Sequence, residues 1–252
     1  GSSSITISGV FTCAGNFYGI DAPTVLNNGV PTISMGSLAY TGGIFMATNT
    51  HNSLGTATVS IASHANVSFT VATDKISLVA LGNIGASNVS TKLVFTVGGN
   101  LSIGGLSTCS FKTSESFGEE TITVNGTFTS TAARTLFNGG TNELSGHKVR
   151  ATFGGFVISG GNVWFSENTS DSTLITINGT TQLSGGVLIL KSAGGYAYMV
   201  VNGSYAQNLV GSVYYMHGPD QLGVATPANN FVDMRVNGTF TQSGGVMHFD
   251  VA

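Results

Sequence analysis

The acids that stand closest together in this chain are Glu115, Glu119 and Glu120, just ahead of an apolar stretch beginning at Thr121. A pair of carboxylates can divide acid and base roles in glycoside cleavage. Lys112 lies beside them. Lys148 and Arg150, further along, are the basic groups that a β-helical lyase would need nearby. Adjacent glutamates in a loop are more commonly just solvated, and so few basic residues do not make a lyase centre. His51, His64, His147, His217 and His248 are scattered without ligand spacing. The glycine-rich stretches lack the regular aspartates of calcium-binding repeats. Gly154-Gly155 is followed by no helix and no Lys-Ser/Thr, so it is not a phosphate loop. The chain is therefore read without catalytic residues, without a cofactor and without a metal site.

What positions these residues is a phrase repeated with variations. It appears as Val236-Asn237-Gly238-Thr239-Phe240-Thr241-Gln242-Ser243-Gly244-Gly245 and as Ile177-Asn178-Gly179-Thr180-Thr181-Gln182-Leu183-Ser184-Gly185-Gly186. A gap-free variant runs from Met35 to Phe45. Aligning the units places equivalent anchors at Gly9, Gly36, Ser63, Gly99, Gly126, Gly154, Gly179, Gly203 and Gly238, spaced 24 to 36 residues apart. The third unit has lost its glycines. Two residues beyond the anchor a large apolar side chain recurs: Phe11, Leu38, Leu101, Phe128, Phe156, Tyr205 and Phe240, with Thr181 the exception. Ser, Thr, Asn and Ala alternate with these positions. Period-2 alternation marks short strands with one buried face, and the column is expected to be core. Asn125-Gly126, Asn178-Gly179, Asn202-Gly203 and Asn237-Gly238 read as structural turns, since both residue types tolerate positive φ.

Units of this length are too short for a propeller blade and suit one three-sided coil of a solenoid. The expectation is an all-β chain, a right-handed parallel β-helix of about nine coils. It would form a single domain over residues 1–252 and a rod about 40 Å long from the strand spacing. In that register Cys13 falls in the column of Gln242 and Cys109 near that of Phe249, coils apart, so two free thiols are expected. The Thr-X-Thr triplets at 121–123, 127–129 and 239–241 do not recur in register on successive coils, which argues against ice binding.

Charged residues make up only 8% of the chain, with a net charge of −3, while 41% is hydrophobic. No basic cluster favours nucleic acid, and no apolar run approaches the ~20 residues of a membrane-spanning helix. The outer surface must be made of Ser, Thr, Asn and Gly. Sequons at Asn66, Asn88, Asn100, Asn125, Asn168, Asn178, Asn202 and Asn237 arise largely from that composition.

The phrases at 236–245 and 177–186 resemble a "V-x-G-x-F-x-Q-x-G-G" unit of very large secreted or cell-surface proteins of Bacteroidota-type bacteria. The resemblance implies a β-helical stalk of a surface adhesin, extracellular or at the cell surface. The expected role is structural: a rigid stalk or fibre segment. The alternative is a carbohydrate-active β-helix, a polysaccharide lyase or a tailspike-like glycan binder. Expected partners are further repeats of the same chain or head-to-tail copies, with surface glycans as a third class, and neither nucleic acid nor membrane insertion. The chain has strand-like sequence at both ends and reads as a segment of a longer polypeptide or a filament subunit.

Overall fold

The computed structural model describes residues 2–15, 17–18, 21–26, 30–42, 45–46, 49–51, 56–69, 76–77, 92–106, 108–111, 119–137, 148–166, 172–191, 196–208, 213–217 and 231–248. The described residues are strands and the bends between them, and every recorded pairing is parallel. The chain is an all-β solenoid. Each unit pairs in register with the next, and alternation along each strand sends apolar side chains inward.

One column shows how the units stack. Ile5 pairs with Ile33, Ile33 with Val59, Val59 with Phe95, Phe95 with Ile122 and Ile122 with Ala151. Ala151 then pairs with Ile175, Ile175 with Met199 and Met199 with Met234. These residues face inward from the first wall, formed by the segment ahead of each anchor. The second wall follows the anchor, and the third follows the glycine doublet. The third-wall column runs Ile76, Cys109, Thr135, Val163, Leu188, Tyr214 and Met247.

The column two residues beyond the anchor pairs Phe11, Leu38, Ala65, Leu101, Phe128, Phe156, Thr181, Tyr205 and Phe240 in unbroken register. The glycine-free third unit therefore keeps its place, with Ser63 as anchor and Ala65 in the core. Leu38, Leu101, Phe128, Phe156 and Tyr205 are buried, and Phe11 is partly so. Phe240 is a correction: it occupies the column but is 46% exposed. It stacks on Tyr205 at 5.1 Å, and no described strand pairs with its other side. Mid-chain, Phe95, Phe111, Phe128, Phe137, Phe153, Phe156 and Phe165 form one aromatic cluster, with Phe128 stacked on Phe156 at 4.9 Å.

Glycine has a different duty at each bend. The second residue of four doublets, Gly105, Gly161, Gly186 and Gly245, has positive φ, which turns the chain toward the third wall at no steric cost. The Asn-Gly sites work otherwise, which corrects the expectation of positive φ there. None of Gly126, Gly179, Gly203 and Gly238 lies in the left-handed region. A Cβ on any of them would overlap backbone of the coil below: on Gly179 it would meet the Gly154 carbonyl oxygen, on Gly203 that of Gly179. Glycine is needed there for close stacking.

Neither Cys13 nor Cys109 forms a disulfide. Cys13 opens the column that ends at Gln242. Cys109 shares a column with Met247, two residues short of the expected Phe249.

Candidate functional site

Charge is concentrated on the outer side of the first wall. Of the chain's eight lysines and arginines, Lys92, Lys148, Arg150 and Arg235 stand exposed there. Their strands put them on that side because they alternate with the inward residues Leu93, Val149, Ala151 and Met234. Lys92, Glu119 and Lys148 are partners in one column, and Thr121 and Arg150 in the next. Glu119 is thereby clamped between coils: Arg150 Nε donates to Oε1 at 3.0 Å and Lys92 Nζ lies 3.4 Å from Oε2. Partial desolvation pushes the Glu119 carboxyl upward. The hydrogen bonds and charges of Arg150 and Lys92 outweigh it and hold the pKa below the ordinary value. Asp233 pairs with Arg235 at 3.6 Å. Among the described residues, Lys148 makes no ion pair.

Glu119 and Glu120 are not in a loop, which corrects the reading of solvated neighbours. Both lie on the strand Glu119–Ser130, and alternation sends them to opposite sides. Glu120 is buried among the inward partners Leu93 and Val149. Two carboxylates on opposite sides of a strand cannot share one substrate. Glu115 and Lys112 lie outside the described residues, as does His147. His64 uses Nδ1 to accept the Asn100 backbone N–H at 3.0 Å, which gives it a local structural task. Among the described residues no three His, Cys, Asp or Glu side chains are grouped to hold a metal.

The turns carry their own ladder. Asn202 Nδ2 donates to Asn178 Oδ1 at 3.1 Å, and Asn237 Nδ2 to Asn202 Oδ1 at 2.9 Å. Asn125 is exposed on the same edge, but Gly154 of the following unit supplies no amide. Asn100 Oδ1 instead accepts the backbone N–H of Thr127 at 2.9 Å. Side chains on this edge thus tie coil to coil.

Two features escaped the sequence reading. Hydroxyls do recur in register: Thr6, Ser34, Ser60, Thr96, Thr123, Thr152 and Thr176 form one outward column of the first wall. The Thr-X-Thr triplet at 121–123 has one member in that column, but its neighbours in register are Val94-Phe95-Thr96 and Arg150-Ala151-Thr152, so the triplet itself does not recur on the adjacent coils. The adjoining column is interrupted by Val94, Arg150 and Leu174. The second feature is a depression of about 320 Å³ lined by Lys148, Arg150, Ser172, Leu174 and Tyr198, with Val149 and Thr173. Tyr196 and Tyr198 are 41% and 37% exposed beside it. The signal was present as Tyr196-Ala197-Tyr198, two tyrosines at period 2 on one side of a strand.

No protein-family profile matches this chain, and neither does any curated protein or solved structure.

Proposed function

We propose that this protein is a structural, non-enzymatic segment of an extracellular stalk or fibre: a right-handed solenoid of nine coils in one domain. The observation that carries this reading is the continuous inward column from Ile5 to Met234, with one member from each repeat. Successive pairing by backbone hydrogen bonds supports a stiff element, because each coil is held along its length by the one before it. The handedness rests on the general preference of parallel β crossovers. Repeats resembling those of Bacteroidota-type surface adhesins favour a place at the cell surface, joined to further repeats or to other copies.

Two observations favour a role without catalysis. Glu119 is held ionised by Lys92 and Arg150, and Glu120 faces the opposite side of the strand. The test is electron microscopy of the native polypeptide on its cells, together with incubation of the purified chain with a polysaccharide panel. Thin stiff fibres at the surface and unchanged polysaccharides are expected. Release of reducing or unsaturated ends, or a protein confined to the cytoplasm, would overturn the proposal.

A further inference from the structure

We infer that the depression on the outer first wall is a binding site for an acidic polysaccharide, a chain of sugars bearing carboxylate or sulfate groups. This goes beyond the stalk reading and does not depend on it.

The geometry supplies three kinds of contact in one place. The strand Lys148–Ser166 contributes Lys148 and Arg150. The next, Ser172–Ile177, contributes Ser172 and Leu174. The one after, Tyr196–Val201, contributes Tyr196 and Tyr198. Register aligns them in two columns, Lys148–Ser172–Tyr196 and Arg150–Leu174–Tyr198. Cations therefore lie at one end and tyrosine rings at the other, about 10 Å apart from two strand spacings. That is the span of a disaccharide lying along the solenoid axis.

Each group matches a part of such a ligand. An ammonium without an ion-pair partner among the described residues is available to an anion, and Lys148 has that standing. Among the described residues of this wall, Lys92, Lys148, Arg150 and Arg235 outnumber Glu119 and Asp233, so the face is locally positive on a chain of net charge −3. Exposed tyrosines offer flat apolar faces with a polar rim, which suit the C–H face of a pyranose. Ser172 and the adjacent column of Thr152 and Thr176 face the same side and can exchange hydrogen bonds with sugar hydroxyls. A nucleic acid would need a larger excess of cations to neutralise its phosphates. A peptide would need a sheet edge or pockets for alternate side chains, whereas this site is an open face of a continuously paired wall.

The test is titration calorimetry of the purified chain with polygalacturonate and with a sulfated glycosaminoglycan, using dextran of similar length as the neutral comparison and a poly-glutamate peptide as the acidic, non-sugar comparison. Binding to at least one acidic polysaccharide is expected, weakening as salt rises. Lys148→Gln should weaken it roughly tenfold, as loss of a charge-assisted hydrogen bond does, and Lys148→Arg should preserve it. Tyr198→Ala should weaken it by a similar factor, with an unchanged melting transition showing that the fold survives. Glu119→Gln should act in the opposite direction and tighten binding, because it frees Arg150 and Lys92. Absence of binding, equal binding of dextran or of poly-glutamate, or acidic binding indifferent to both Lys148→Gln and Glu119→Gln would overturn the site. None of those failures would touch the stalk proposal, which stands on fibres and on the lack of cleavage.

Discussion

Phe128 and Phe240 hold the same place in their repeats, and the solenoid treats them differently. Phe128 is fully buried, with Leu101 paired on one side and Phe156 on the other, and touches the rings of Phe137, Phe153 and Phe156. Phe240 has Tyr205 on one side only and is 46% exposed. Identical local sequence therefore yields different energetics, because in a one-dimensional stack a side chain is buried by its neighbours along the axis rather than by its own coil. The sharpest test follows directly. Phe128→Ala should cost about 3 to 5 kcal/mol in chemical denaturation, as large-to-small core changes do. Phe240→Ala should cost roughly 1 kcal/mol, since about half of its area is already in water. Equal costs would mean that something covers Phe240, such as a further coil or a second copy.

A second contrast lies within one glycine doublet. Gly161 has φ of +64°, and a Cβ there would overlap the Ala132 carbonyl oxygen of the coil below. Gly160 has open space around its would-be Cβ and no positive φ. Gly161→Ala should destabilise by about 2 to 3 kcal/mol, combining left-handed strain with overpacking. Gly160→Ala should change stability by less than ~0.5 kcal/mol. Similar penalties at both positions would show that the bend is not set by stacking.

These pairs also show how far the sequence could be read. Repeat spacing and period-2 alternation pointed to Phe11, Leu38, Leu101, Phe128, Phe156, Tyr205 and Phe240 as one column but not to Ala65, because those signals lie within a few residues along the chain. They even placed Ser63, whose unit has no glycine. Exposure did not follow from them, since Phe240 differs from Phe128 only in what lies one coil away. The site was hidden for the same reason. Lys148, Ser172 and Tyr196 are 24 residues apart at each step, and only register makes them neighbours. Glu119 and Glu120 looked like a loop pair because adjacency in sequence says nothing about which side of a strand each faces. The hydroxyl column from Thr6 to Thr176 was missed because it mixes Ser34 and Ser60 with threonines and only one of the Thr-X-Thr triplets, 121–123, reaches it.

The asparagine ladder is a smaller lever on the same comparison between the chain's middle and its end. Asn202 both donates to Asn178 and accepts from Asn237, whereas Asn237 has a ladder partner on one side only among the described residues. Asn202→Ala should cost about 1 kcal/mol and Asn237→Ala roughly half of that, since each exposed amide bond contributes little net. Hydrogen exchange at the turns, read residue by residue, would register the difference if the melting transition does not.

The smallest expected effect concerns the clamped carboxylate. Glu119 has its pKa lowered in the folded chain, chiefly by Arg150 and Lys92 acting against desolvation. A group whose folded pKa lies below its unfolded value stabilises the protein above the unfolded pKa, near 4.5, and that stabilisation disappears as pH falls through the folded value. Its partners are exposed, with 55% of the Lys92 side chain and 54% of the Arg150 side chain in solvent. Solvent screening therefore keeps the contribution to no more than ~1 kcal/mol. Glu119→Gln should be slightly less stable than the parent at pH 7 and indistinguishable from it at pH 3, and the gap at pH 7 should shrink in 1 M salt. A gap that persists at pH 3 would mean that the carboxamide disturbs packing rather than charge. A gap of several kcal/mol at pH 7 would mean that this surface pair is far better shielded from water than its exposed partners indicate.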